Sequence, residues 1–590
     1  MRHTSFTGIP ASASFKIDTI CVSVNLLFRM GTSWAYPDRK FSLSVCQIWG
    51  RLRGHLRNCS NWNLVLKRCP LVVLKSSVSL KRFYLASRSP DRIERAAMNR
   101  TTARPGFPRQ EETFRPFCRK KSLRMRLFPF AAAAFGLAAQ AHAVCYVDAN
   151  APGLDDGSSW TNAYIFLPFA LFNPSCTEIW VAQGVYKPTL GTNRSISFEI
   201  PAGVALYGGF TGGETMRTSR DPAHNPTVLS GDIDSNDLHS AGNGIDATAD
   251  DIVGNNSYHV VVLDGTIGTG IDADTIVDGF VITGGDATAS SPGANQLGGG
   301  LYCDAHSGGV CSPTLRQLVF RGNRAATGGG GLLTNGADAG NANPSLTDVS
   351  FIGNRSALFG GAMATDGEAG GESSPHLVNV TFAGNVAHQG GALYNDGEAG
   401  TSSPLLENVT FAGNRSETSG GAMTNDGRIG GLSVPTLKNV TFASNSAAMY
   451  GAAIYNTADD AVAPGSASPI LRNVILWGDS APSNTDIKND AAASADIERS
   501  ILQYGCPLGA TCSTIVTADP QLSKLGNYGG FTATVRPTTP GSAIDGADDA
   551  NCPATDQRGV PRPQGAHCDF GAVELKPVED VIFQDGFEAY

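Results

Sequence analysis

The stretch NVTFAGNVAHQGGALYNDGEAG, residues 379 to 400, is one copy of a unit that recurs along the chain, and a chain of such copies has few folds open to it. Self-alignment gives LVFRGN, VSFIGN, VTFAGN, VTFAGN and VTFASN, placing Phe320, Phe351, Phe382, Phe411 and Phe442 at steps of 31, 31, 29 and 31. A fixed period in this range marks a solenoid or an array. Each copy opens at a proline (Pro313, Pro344, Pro375, Pro404, Pro435), crosses a β-branched stretch and reaches an Asn three residues after its Phe. A second block follows: GGLLTN, GGAMAT, GGALYN, GGAMTN and GAAIYN. The unit therefore holds two clear strands and no helical period. Glycine pairs and Val/Thr/Phe runs exclude helical repeats, and a propeller blade needs four strands in about 40 to 45 residues. The expected class is all-β, a parallel β-helix with one coil per unit.

That geometry gives each recurrent residue a structural task. Alternation along Val380, Thr381 and Phe382 sends Val380 and Phe382 inward and Thr381 outward, with equivalent residues about 4.8 Å apart along the axis. The five Phe rings are expected to stack inside, and Ala362, Ala392, Ala422 and Ala453 keep the opposite wall close. Glycine pairs such as Gly390 and Gly391 serve sharp corners that need positive φ. Asn323, Asn354, Asn385, Asn414 and Asn445 are expected to form an amide ladder that satisfies turn backbone otherwise buried without a partner. A second line is read through Asn335, Asn395, Asn425 and Asn456, with Thr365 interrupting it. Recurrence is thus explained by folding, and no catalytic residue is assigned from it.

Charge divides the chain. Residues 1–124 hold 24 Lys plus Arg against 6 Asp plus Glu, whereas residues 144–590 hold 19 against 47. Between them MRLFPFAAAAFGLAAQAHA, residues 125–143, has a basic start at Arg126, an apolar run and an Ala-His-Ala ending, which reads as a secretory signal peptide. It is shorter than the roughly 20 residues of a spanning helix. Met125 is therefore read as the true start, and residues 1–124 as an upstream extension, disordered or absent from the mature protein. A basic nucleic-acid-binding segment is the rival reading, but no motif accompanies the charge. Eight Cys follow the signal, an even number suited to an oxidising compartment. Neighbours are paired: Cys145 with Cys176, Cys303 with Cys311, Cys506 with Cys512, and Cys552 with Cys568. Metal–thiolate chemistry is not expected, because CxxC and HxxxH pairs are lacking and the seven His after the signal are scattered.

The β-helix is expected over residues 144–505, about ten coils in all, with regular repeats from about 298 to 478 and protected ends. SFEIPAGVALYGGF, NSYHVVVLDG and TIVDGFVITGG read as earlier turns, and PILRNVILWGDSA as a later one with Asp479 in the Asn position. The stretch carrying Trp160 is expected to close the start, residues 506–574 the end, and residues 575–590 form a tail.

FAGN with GGALYN resembles the FxxN and GGAI repeats of polymorphic outer membrane proteins, and that resemblance implies a right-handed parallel β-helix of the pectin lyase-like kind. ADPQLSKLGNYGGFTATVRPTTPGSAIDGA, followed by DQRGVPRPQGAHCDFGAVE, resembles the terminal module of the choice-of-anchor Q family, which implies a secreted bacterial β-helix protein. Polymorphic proteins end in a translocator barrel. Residues 575–590, ending in IFQDGFEAY, are too few for eight strands of about 10 residues.

Chemistry is sparse. Arg324, Arg355 and Arg415 follow the ladder Asn in GNR and read as a stacked surface row, with a substrate clamp as the alternative. Asp232 and Asp234 fall on alternating positions, which argues against a glycosidase pair. SGDIDSND offers Asp232, Asp234, Asn236 and Asp237 as hard oxygen ligands for calcium, without the glycine and distant glutamate of an EF-hand, and a solvated acidic turn is the competing reading. Asp366, Asp396 and Asp426 fall in register along one loop edge, read as a polar edge or a weak ion or glycan site. NVT at Asn379, Asn408 and Asn439 matches a glycosylation acceptor but lies within strands. GTIGTG, residues 265–270, lacks the helix of a dinucleotide site. No cofactor other than calcium is expected.

The functional expectation is a secreted or outer-surface scaffold, adhesin-like, exported by the Sec route and monomeric. It is expected to bind polysaccharide or a cell-surface ligand along its flank, with no nucleic-acid partner and no transmembrane helix. The alternative is a polysaccharide lyase or glycoside hydrolase of pectin lyase-like fold; fold alone does not separate the two.

Overall fold

The computed structural model describes residues 144–239, 242–458 and 463–576. The proposed extension 1–124, the signal 125–143 and the tail from 577 onward lie outside the described residues.

The chain winds as a parallel β-helix with three strand faces. In the first sheet each rung pairs in parallel with the next, in unbroken succession from Val144–Val147 to Ala510–Val516. The second sheet has nine strands, among them Leu332–Asn335, Met363–Asp366, Leu393–Asp396 and Met423–Asp426, and the third has six short ones at the intervening corner. Among the described residues, helix is confined to Leu167–Phe172 and a few single turns; Leu167, Ala170 and Leu171 of that helix are buried in the core. Among the described residues, no helix is long and apolar enough to cross a membrane.

Register explains the core. Phe320, Phe351, Phe382, Phe411 and Phe442 are direct neighbours across successive rungs. All five are fully buried, and their rings stack 4.7 to 4.9 Å apart within 7° of parallel. The strand spacing imposes that separation. Val380 is buried beside Phe382. Each regular rung also carries a residue at positive φ, in turn Gln317, Asp348, Asn379, Asn408, Asn439 and Asn473. This left-handed residue turns the following one inward, so that in N-V-T the Val enters the core while Asn and Thr both face out.

The corner ladder is continuous. Asn385 donates its amide to Asn414 Oδ1 at 2.9 Å and to the Phe351 carbonyl at 3.0 Å, and its own Oδ1 accepts from Asn354. The same pattern repeats from Asn323 to Asn445, where the amide meets Asp479 Oδ1 at 2.8 Å. The second line differs from the sequence alignment by one position. Thr334, not Asn335, stands in register with Thr365 and Asn395; Asn335 pairs with Asp366 and donates to Tyr302 Oη and Asp304. Four consecutive glycines before Leu332 made that register ambiguous. From Asn395 the amide chain runs through Asn425 and Asn456 to Asn489.

The four Cys pairs form as expected, with Cα–Cα distances of 5.5 to 6.6 Å. Trp160 packs with Tyr146, Trp180 and Phe210 on the outer face of the first rungs. The terminal module departs from the sequence picture of a segment closing the column. The last rung and its Cys506–Cys512 loop end the first sheet, whereas the later part of the module returns along that sheet's outer face. Asn408 donates to the Thr555 carbonyl, Asn439 to those of Asp569 and Gly571, and Thr441 Oγ1 accepts the Ala572 amide. Thr381 points away from the core yet is buried, because Thr381 Oγ1 donates to the Ala533 carbonyl at 2.6 Å. The outward Asn and Thr of N-V-T thus form a docking stripe.

Candidate functional site

The returning module leaves a groove beside the Asn-ladder corner. Its volume is about 760 Å³; its floor includes Ala383, Gly384, Ala412, Gly413, Ala443 and Ser444, with Trp477 and Gly478 at one end, while Asp519, Gln521, Ser523, Lys524, Leu525 and Val535 line the facing wall. The corner forces small residues here: Gly384, Gly413 and Gly478 have φ of 62°, 64° and 74°, and Ser444 shares this left-handed conformation at 58°. A Cβ at Gly384 or Gly413 would meet no atom within 4 Å, so the floor is open above both. Earlier on the same edge the floor is covered. A Cβ at Gly322 would lie 2.5 Å from Asp246 Cβ, and one at Gly353 2.8 Å from the Ala247 carbonyl. The segment between Thr227–Ser230 and Val261–Asp264 therefore lies over the first corners, and the open floor begins beyond it.

The Arg row does not reach into this groove's lining. Arg324 is paired with Asp286 at 2.6 Å, Arg355 with Asp250 at 3.4 Å, and Arg415 lies 3.9 Å from Glu417. Each guanidinium has a local carboxylate.

The loop edge brings Asp304, Asp366, Asp396 and Asp426 into register, with Asn335 between the first two. Asp366, Asp396 and Asp426 each accept the amide two residues on, at 3.1, 3.2 and 3.1 Å, so they are first of all turn formers. Arg428 neutralises Asp426 at 2.6 Å and reaches Glu398 at 3.1 Å. Burial pushes Asp366 up to about 6, and burial, then Glu368 and Asp426, holds Asp396 well above the carboxylate range. Glu368, Asp396 and Glu398 can each direct one oxygen to a common point, all three within 4.8 Å of one another.

The loop Asp232–Asp237 does not converge on one point. Asp232 accepts the Asn236 amide at 3.0 Å, Asp234 accepts the Asn255 amide at 2.9 Å, and Asp237 accepts the Val253 amide at 2.6 Å. Asp234 and Asn236 stand against Gly254, while Asp232 and Asp237 are buried on the side of His239, Asp246 and Asn256. Sequence reading missed His239 and Asp246, since neither belongs to a period or a short motif.

Residues 379–396 and 439–457 match the model of the Chlamydia polymorphic membrane protein repeat. No curated protein matches the chain. Among solved structures, the crystal structure of pectate lyase Pel9A is similar with a TM-score of 0.34 and 10% identity, covering 73% of this chain and 96% of that one. A likeness of that size transfers no activity.

Proposed function

We propose that the protein is a secreted or surface-exposed β-helical scaffold that binds an extended glycan in the groove between its corner edge and the returning module. The groove's composition carries this reading. Sugar rings have apolar faces and hydroxylated edges; the open floor at Gly384 and Gly413 gives such a ring room, the half-buried Trp477 indole offers a flat apolar surface, and Asp519, Gln521, Ser523 and Lys524 supply hydrogen-bonding groups on the wall. The floor repeats with the rungs, which suits a polymer better than a single small molecule. The match to a polymorphic membrane protein repeat and the signal-like residues 125–143 support a location at or beyond the cell surface.

The test is a panel of neutral and acidic polysaccharides offered to the full-length chain, scoring retention together with release of unsaturated or reducing ends. Retention without product is the expected result. Product formation would replace the scaffold by a lyase or hydrolase, and lack of retention by every polysaccharide would remove the glycan.

A further inference from the structure

The segment between Thr227–Ser230 and Val261–Asp264 holds three buried carboxylates with too few cations to match them. Asp232 is 2% exposed, Asp237 8% and Asp246 0%. Lys187 Nζ approaches Asp232 at 3.5 Å and is itself held by Ser235 Oγ at 2.7 Å. His239 lies between two of the acids, with Nε2 3.3 Å from Asp232 and Nδ1 2.9 Å from Asp246 Oδ1. The second contact has the distance but not the direction of a hydrogen bond, so neither Asp246 oxygen has a hydrogen-bond partner. Asn256, fully buried, donates to Asp237 Oδ2 at 2.6 Å and to the Gly284 carbonyl at 2.7 Å, yet its own Oδ1 receives no donor.

Three of these side chains meet beside Gly284. The position a Cβ would take at Gly284, where φ is 69°, lies 3.0 Å from Asp246 Oδ2, 3.2 Å from Asp237 Oδ2 and 3.3 Å from Asn256 Nδ2. An alanine there would fill the space. A buried carboxylate with no donor is costly, and several together repel unless a proton or a cation intervenes.

We infer that the space beside Gly284 is a binding site for a hard divalent cation, calcium, with Asp237 and Asp246 as carboxylate ligands and the Asn256 amide holding Asp237 in place from the side. Carboxylate oxygens are the hard donors that calcium takes, and its flexible coordination lets water complete the shell. The ligand set differs from the four-residue loop read from the sequence: Asp234 and Asn236 turn towards Gly254, and Asp246 enters from further along the chain. The ion fixes the covering segment to the corners, where the Ala249 amide donates to the Gly353 carbonyl at 3.0 Å.

The test uses the full-length chain, stripped with a chelator, equilibrated with calcium alone and assayed for bound metal and melting temperature. One calcium per chain and a higher melting temperature with calcium are expected. Asp246→Asn and Asp237→Asn should each lose the ion and the shift, whereas Glu398→Gln, at the other acidic cluster, should keep both. Should one of the two Asn variants fail to fold by circular dichroism, the other carries the test. No bound calcium in the wild-type chain, retention of the ion by a folded Asp246→Asn or Asp237→Asn chain, or its loss in Glu398→Gln would overturn the site.

Discussion

Thr410 donates its hydroxyl to the Gln557 side-chain carbonyl at 2.6 Å, although 147 residues separate them. The Gln557 amide is equally committed, donating to Thr381 Oγ1 at 2.7 Å and to Thr532 Oγ1 at 2.9 Å. One buried glutamine thus joins two rungs to the returning module, and the groove exists because this junction holds. Gln557→Ala is expected to strand buried hydroxyls at a cost of about 1 to 3 kcal/mol. The check is hydrogen exchange: protection should fall first around 519–535 and along the N-V-T strands, with Phe-ladder strands elsewhere unchanged.

Within the module, Arg562 and Glu574 form a pair at 3.0 Å with side chains 0% and 1% exposed. Burial pulls the Arg562 guanidinium below its ordinary range, and Glu574 is the first of the carboxylates that oppose that pull. Breaking such a pair leaves an uncompensated buried charge. Glu574→Ala should destabilise the module by about 3 to 5 kcal/mol, whereas a change at solvent-exposed Lys524 should leave the melting temperature unaltered. Limited proteolysis of the two variants checks this directly.

The Asn ladder predicts a local, directional effect. Asn385→Ala takes the acceptor from the Asn354 backbone amide, one of the two acceptors from its side-chain amide, and the Asn385 donor from the Phe351 carbonyl, a loss of about 1 to 3 kcal/mol for each group left unpaired and not reached by water. A solenoid couples mainly nearest neighbours. Faster exchange should therefore appear in the rungs of Phe351, Phe382 and Phe411 before the ends of the column, as peptide-resolved exchange would show.

At the ladder's end Asp479 stands where the pattern calls for Asn. Burial, with Asp486 beside it, holds its carboxyl well above the ordinary value, and burial pushes Asp486 up to about 7. A carboxyl raised in the folded state retains its proton when the unfolded one has lost it, so stability falls as pH rises above the unfolded value near 4. Asp479→Asn removes one such group. Its melting temperature should exceed that of the wild-type chain at pH 8, and the difference should shrink or reverse at pH 4.

How much of this was legible in the sequence follows from which contacts are periodic. Phe320 to Phe442 and Asn323 to Asn445 recur at nearly constant spacing, so the inner stack and the first ladder could be read from one dimension. The Thr334 register was not, because a run of glycines carries no side chain to mark its phase. The outward Asn and Thr of N-V-T read as ordinary strand residues; their partners, Thr555, Gln557 and Ala572, lie well over a hundred residues away and share no period with them. The Asp237–Asp246–Asn256 surround was hidden for a similar reason, since an irregular segment brings together residues whose spacing follows no element. The groove itself arises from docking, and Lys524 or Trp477 gave no local signal of it.

The groove is tested most directly by the dissociation constant for a retained polysaccharide, compared between the wild-type chain and Ser444→Trp. Ser444 is exposed on the floor, so the substitution places an indole in the groove, at the cost of some backbone strain from a bulky residue at positive φ. Binding at least about tenfold weaker, a difference of roughly 1.4 kcal/mol, by a variant whose circular dichroism shows it folded is the result predicted. Equal affinity of the two folded chains would contradict it and move the binding surface elsewhere on the helix.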